Sequence, residues 1–100
     1  MEKQSITQTQ ARILIYLSSV HRSRKYVSAI SSKLDIDYSY CLKVLQTMLG
    51  KGWLTKTAIR NKMFYFTTET APIENAHRIY LNIDELQREL KAFEVAEDDN

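Results

Sequence analysis

The 100-residue chain has one cysteine, one proline and two glycines, and these scarcities close off several classes of function. Cys41 has no partner for an internal disulfide, and its place on the apolar side of a helical pattern makes it a small buried hydrophobe. Gly50 and Gly52 stand within three residues of each other, so there is no glycine-rich loop to cradle a phosphate. Apolar runs are short: none approaches the ~20 residues of a membrane span. The start, Met1-Glu2-Lys3-Gln4-Ser5, is polar where a signal peptide would be charged and then apolar. A cytoplasmic protein is the expectation. His21 and His77 have no spacing to each other or to Cys41 that suits a metal site, so neither metal nor cofactor is expected. Acid pairs such as Asp84-Glu85 and Asp98-Asp99 fall on a helix start and a tail, where they are solvated, and no nucleophile has a base beside it in sequence. The chain does not read as an enzyme.

With 44% hydrophobic residues, a chain of this length builds one modest core. Its charge is unevenly spread. Residues 1–62 hold eleven Lys or Arg against Glu2, Asp35 and Asp37, a balance of +8, while residues 63–100 hold Arg78, Arg88 and Lys91 against nine acids, a balance of −6. Such a split suits a molecule with one part facing a polyanion and another turned away from it.

Helical spacing of Ile13, Leu14, Leu17 and Val20, with Ala11 and Tyr16 beside them, predicts a first helix that Thr7 or Thr9 can cap and that runs to about Ser19. The basic stretch His21-Arg22-Ser23-Arg24-Lys25 interrupts the pattern. Tyr26 and Val27 then suit a short strand, and Ser28 an N-cap for a second helix with Ile30 and Leu34 inward. Asp35-Ile36-Asp37 reads as a turn, with Ile36 plugging the core and the Asp37 carboxylate accepting backbone hydrogen bonds at the next helix start. That helix, residues 38–49, places Cys41, Val44, Leu45 and Met48 on one face and Ser39, Tyr40, Lys43, Gln46 and Thr47 mostly on the other. Both glycines follow, where a left-handed residue commonly stops a helix. Residues 54–58 and 63–67 alternate as two strands joined through Ile59-Arg60-Asn61-Lys62, with Asn61 suited to positive φ and Phe64 and Phe66 expected to face the helices. Thr67 or Thr68 can cap a last helix with Pro72 in its first turn. In it Ile73, Ala76, Tyr80, Ile83, Leu86, Leu90 and Phe93 recur at roughly heptad spacing. Asn82 and Glu85 form a second capping signal, so this segment can break near Leu81.

The stretch Val27-Ser28-Ala29-Ile30-Ser31-Ser32-Lys33-Leu34, its Asp-Ile-Asp turn, the helix from Tyr38, the Gly-Trp-Leu exit and the basic-tipped hairpin follow one another in the order of a winged helix-turn-helix. Over roughly its first three quarters the chain resembles bacterial and archaeal winged-helix transcription regulators of the MarR, ArsR and PadR kind. The resemblance implies a mainly α fold with a small β-hairpin (α+β). It divides the chain into a DNA-binding domain over 1–69, a long C-terminal dimerisation helix over 70–95 and a disordered acidic tail over 96–100. It also implies double-stranded DNA as partner, with helix 38–49 in the major groove. Ser39, Tyr40, Lys43 and Thr47 then occupy the base-facing positions, and Gln46 reaches toward the far strand. Arg60, Asn61 and Lys62 lie on the backbone or in the minor groove, and Arg22, Arg24 and Lys25 offer a second phosphate-binding group. The chain departs from the pattern in having one cation on this helix before Lys51 and two tyrosines at its start, which favours phosphate contacts over guanine readout. Tyr38 can equally pack its ring across the turn.

The apolar seam continues some 30 Å beyond Pro72 at 1.5 Å per residue, longer than so small a core requires, and this predicts a homodimer through Ile73, Tyr80, Ile83, Leu86, Leu90 and Phe93. Two copies would set their recognition helices about 34 Å apart, one DNA turn. The expected function is a homodimeric transcriptional regulator, a repressor occluding its promoter. Two alternatives stand beside it. One is a protein-interaction module of a transcription, replication or membrane-remodelling assembly, with Tyr38, Tyr40 and Leu42 as its apolar patch. The other is a plasmid or viral replication-origin binding protein.

Overall fold

A computed structural model describes residues 6–79. Its first element, α1, spans Gln8–Ser19. Thr7, and not Thr9, starts it: the Thr7 hydroxyl accepts from the Gln10 amide at 3.1 Å, while Gln10 Oε1 accepts from the Thr7 amide at 3.0 Å. This reciprocal capping satisfies two backbone donors that the first turn otherwise orphans, and it explains a buried glutamine. The inner stripe is Ala11, Ile13, Leu14, Tyr16 and Leu17, as the spacing predicts. The basic linker after it folds into a short 3₁₀ turn, Arg22–Arg24, with the His21 ring accepting from the Ser23 amide.

Helix α2 spans Val27–Leu34, two residues earlier than a Ser28 cap requires. The Ile30 amide already donates to the Tyr26 carbonyl at 3.0 Å, so Tyr26 is the N-cap, without a side-chain bond. The expected strand at Tyr26 and Val27 shrinks to one antiparallel bridge between Tyr26 and Phe64, with Val27 inside the helix. Asp35 ends α2 in the left-handed region at φ 56°, and the Arg12 guanidinium of α1 donates to the Leu34 carbonyl. After half-buried Ile36, Asp37 Oδ2 accepts from the Tyr40 amide at 3.1 Å, the cap that its position predicts. Helix α3 then runs over Tyr38–Gly50.

The inner face of α3 is Cys41, Leu45 and Met48, all with no exposed surface. Val44 is half-buried, as are Leu42 and Leu49 at the edges of the stripe. Of the two glycines only Gly52 is left-handed, at φ 79°, and its amide donates to Leu49 at 3.0 Å. Gly50 is still helical and supplies no stop signal.

Strands β1 (Leu54–Ile59) and β2 (Lys62–Thr67) pair antiparallel from Leu54↔Thr67 to Ile59↔Lys62. Each is one residue longer than its alternation suggests, so the turn contracts to Arg60-Asn61 at φ 48° and 70°, both left-handed as in a type I′ hairpin turn. The expectation that Phe64 and Phe66 face the helices is overturned: Tyr65 is the buried residue and the two phenylalanines are half-buried. Successive side chains of a strand point to opposite faces, so with Tyr65 packed in the core its two neighbours lie on the other side; the Tyr65 amide donates to the Lys25 carbonyl at 2.8 Å. Phe64 and Phe66 instead find cover outside, from the Tyr26 ring edge-on at 5.8 Å and the Lys25 ammonium at 5.5 Å.

Thr68 caps no helix. Its hydroxyl and that of Thr70 both donate to the Gly52 carbonyl, at 2.6 and 2.8 Å, tying the end of β2 to the exit of α3. The next helix starts after Pro72, whose carbonyl accepts from the Ala76 amide at 3.0 Å, and residues 73–79 are helical, with Ala76 buried and Ile73 and Ile79 half-buried against the core. Tyr80, Ile83, Leu86, Leu90 and Phe93 of the predicted seam, the Asn82 and Glu85 signal, the continuity near Leu81 and the acidic tail 96–100 lie outside the described residues.

Candidate nucleic-acid interface

Burial of one side of α3 determines what its other side presents. Ser39, Tyr40, Lys43, Gln46 and Thr47 are all exposed, and at 100° per residue they fall in a single outward stripe. Tyr40 keeps half of its surface accessible. Four of the five, Tyr40, Lys43, Gln46 and Thr47, line an open groove of about 550 Å³ whose opposite wall is Thr7 and Gln10 at the capped start of α1. The Thr47 hydroxyl donates to the Lys43 carbonyl at 3.1 Å, so its proton is used within the helix.

Tyr38 stands apart from that stripe. It is 52% exposed and lines a smaller cleft of about 230 Å³ with Tyr26, Val27 and Ser28 at the start of α2 and Asn61, Lys62 and Met63 of the hairpin. The start of the third helix and the hairpin tip are therefore neighbours. Lys62 lies with its ammonium 4.2 Å from the centre of the Tyr26 ring, a cation–π contact that directs it into this cleft, while Arg60 and Asn61 are exposed at the turn.

The linker cations are placed differently. Arg22 and Arg24 are exposed and Lys25 is half-buried over Phe66. Arg24 shares with Lys33 a separate open hollow of about 690 Å³, lined also by Tyr16, Tyr26, Ser23 and Ser32. The predicted site residues thus form three groups: the α3 stripe with the start of α1, the hairpin tip with Tyr38, and the linker with α2.

Two residues that set this geometry carry little sequence signal. Arg12, which ties α1 to the end of α2, is marked only by being a cation inside the apolar stretch from Ala11 to Leu14. Tyr16 donates its hydroxyl to the Arg24 carbonyl at 2.9 Å, a contact across eight residues that helical periodicity does not disclose. Burial raises the pKa of Tyr16 and of Tyr65, with Tyr38 and Cys41 adding to the rise at Tyr65. The Cys41 thiol is pushed up to about 11 by burial, which keeps it protonated and unreactive near neutral pH.

The order of helix, turn, exposed-faced helix and basic-tipped hairpin also recurs in solved structures. A variant of ZitR from Lactococcus lactis superposes with a TM-score of 0.70 at 19% identity, over 93% of this chain and 63% of that one. The chain has the winged helix-turn-helix fold. Within that fold α3 is the second helix of the helix-turn-helix and the β1–β2 hairpin is the wing. AdcR, a zinc-dependent MarR-family transcriptional regulator in its zinc-bound state, matches with a TM-score of 0.65 at 22% identity, over 94% of this chain and 65% of its own. Wild-type ZitR in complex with DNA matches with a TM-score of 0.61 at 21% identity, over 95% and 75%. The chain spans a little under two thirds of the ZitR variant and of AdcR. No protein-family profile matches it, and no curated protein sequence does. Among the described residues no group of three or more His, Cys, Asp or Glu is placed to hold a metal ion, and no helix is long and apolar enough to cross a membrane.

Proposed function

We propose that the chain is a DNA-binding transcription regulator, with no enzymatic activity of its own, that inserts α3 into the major groove of duplex DNA and lays its wing along the backbone or minor groove. The observation that carries this reading is the division of α3: Cys41, Leu45 and Met48 anchor one face with no exposed surface, and Ser39, Tyr40, Lys43, Gln46 and Thr47 stand outward on the other. Arg60, Asn61 and Lys62 at the wing, and Arg22 and Arg24 in the linker, are the phosphate contacts; Lys25, over Phe66, contributes less. The excess of cations over acids in residues 1–62 supports the same face, and the DNA complex formed by a protein of this fold supports DNA as the partner. We further assign residues 70–95 to homodimerisation, residues 96–100 to an acidic tail, and the whole to a cytoplasmic repressor.

Fluorescence anisotropy with random-sequence duplex DNA across a salt series tests the binding, because phosphate contacts make log affinity fall linearly with log salt concentration. A steep slope is expected; no binding at low salt refutes the reading. Sedimentation of the wild-type protein tests the assembly, and a monomer at micromolar concentration refutes the homodimer. The exposure of Tyr38, Tyr40, Ile59 and Met63 favours a protein-interaction surface as the second reading, to which a salt-insensitive or absent DNA affinity would point.

A further inference from the structure

We infer that the outward stripe of α3 reads thymine methyl groups, so that A·T-rich duplex DNA is the partner it selects; this rests on the DNA-binding reading above. Base edges in the major groove are told apart by a few chemistries: long cations suit guanine, amides suit adenine, and apolar surface suits the thymine methyl. The stripe contains one long cation, Lys43, and no arginine. Gln46 is its single amide, matched to adenine. Tyr40 contributes a ring that is 50% exposed and held in place at its backbone by the Asp37 cap. Thr47 has committed its hydroxyl proton to the Lys43 carbonyl, which leaves its methyl as its distinctive group. Ser39, a hydroxyl, discriminates little. Of the side chains offered to base edges, three suit A·T pairs and one suits guanine.

The wing is consistent with this selection. Arg60 is carried on a two-residue turn with Lys62 just beyond it at the start of β2, and cations entering the minor groove prefer the narrow, negative channel of A-tracts. Both contacts of one copy therefore favour the same composition, with room for one guanine position facing Lys43.

The test uses the full chain. A site is selected from a random duplex library, and affinity at fixed salt is measured for that duplex and for one in which deoxyuridine replaces every thymidine, a change that removes only the methyl groups. The expected result is an A·T-rich selected site and about a threefold to fivefold loss of affinity for each contacted methyl removed, the factor for one buried methyl-sized group. Tyr40→Phe retains the full uracil penalty, whereas Tyr40→Ala and Thr47→Ser each abolish the part due to one methyl; both positions are exposed, and thermal melts confirm that the variants fold. Equal affinity for the thymine and uracil duplexes, or selection of G·C-rich sites, overturns the inference while leaving DNA binding intact. A penalty unchanged in both Tyr40→Ala and Thr47→Ser overturns the assignment to these residues. Absence of salt-dependent binding to any duplex overturns both the inference and the reading beneath it.

Discussion

Helix α3 turns Cys41, Leu45 and Met48 into the core with no exposed surface, whereas in the wing residues 55–63 are all exposed and only Leu54 and Tyr65 are buried. The two parts of one proposed interface are thus held by different forces. Packing fixes the helix, and its placement is inseparable from the stability of the whole domain. A hydrogen-bonded ladder, a left-handed turn and ring–ammonium contacts hold the outer part of the wing, while buried Leu54 and Tyr65 and the Tyr65–Lys25 bond tie its base to the domain. An element held by few buried contacts opens at lower free energy than the core. The helix is accordingly the stiff part of the proposed interface and the tip of the wing the adjustable one.

The largest effect should come from breaking the anchored side. Leu45→Ala removes a fully buried side chain and should cost about 2–5 kcal/mol of stability, read as a lower urea midpoint; a loss below 1 kcal/mol would mean that α3 is less firmly seated than its burial indicates. On the outward side of the same helix, Lys43→Ala should leave the urea midpoint unchanged and weaken DNA binding by about 1–3 kcal/mol. Any large fall in stability there would erase the distinction between the two faces.

The wing permits a sharper cut. Arg60 adopts φ 48°, a conformation that disfavours a side chain and suits glycine. Arg60→Gly should therefore raise or preserve thermal stability, by up to about 1 kcal/mol, while lowering DNA affinity through the lost cation. Reduced stability and unchanged affinity would show that the residue serves the turn and not the ligand.

The smallest effect at neutral pH comes from the buried ionisable groups. The Cys41 thiol rises from 9.0 to about 11 in the folded chain, so above pH 9 the unfolded chain ionises first and binds fewer protons than the native one. Stability then falls as pH climbs from about 9 to 11 and is unaffected below. The raised Tyr16 and Tyr65 act in the same direction. Urea midpoints measured across this range should decline less steeply for Cys41→Ala than for the wild type, and equal slopes would discount the thiol.

What could be read from the sequence followed the same divide. The face of α3, the Asp37 cap and the three helices α1 to α3 were legible because a helix writes its burial as a period of three to four and its ends as capping residues, whereas the strand expected at Tyr26 and Val27 is a single bridge and the linker's 3₁₀ turn had no signal. The wing was legible in outline only. In Met63-Phe64-Tyr65-Phe66 every side chain is bulky and largely apolar, so the alternation can be laid over the strand in either phase, and packing against the rest of the domain selects the one with Tyr65 inward. Ser28 has the chemistry of a cap, yet the ladder begins at Tyr26 because the bridge to Phe64 places that residue there. The division of the site into three groups was equally hidden, since it depends on Arg12, Tyr16 and Tyr26 reaching across elements.

Two consecutive carbonyls of the linker serve two different elements: Arg24 accepts from the Tyr16 hydroxyl of α1, and Lys25 accepts from the Tyr65 amide of β2. Adding or deleting one residue here would break one of these bonds or pull the hairpin out of register. A polar stretch that composition would class as a tolerant spacer is thus fixed in length, and among the described segments it is the place where substitutions should be accepted and insertions refused.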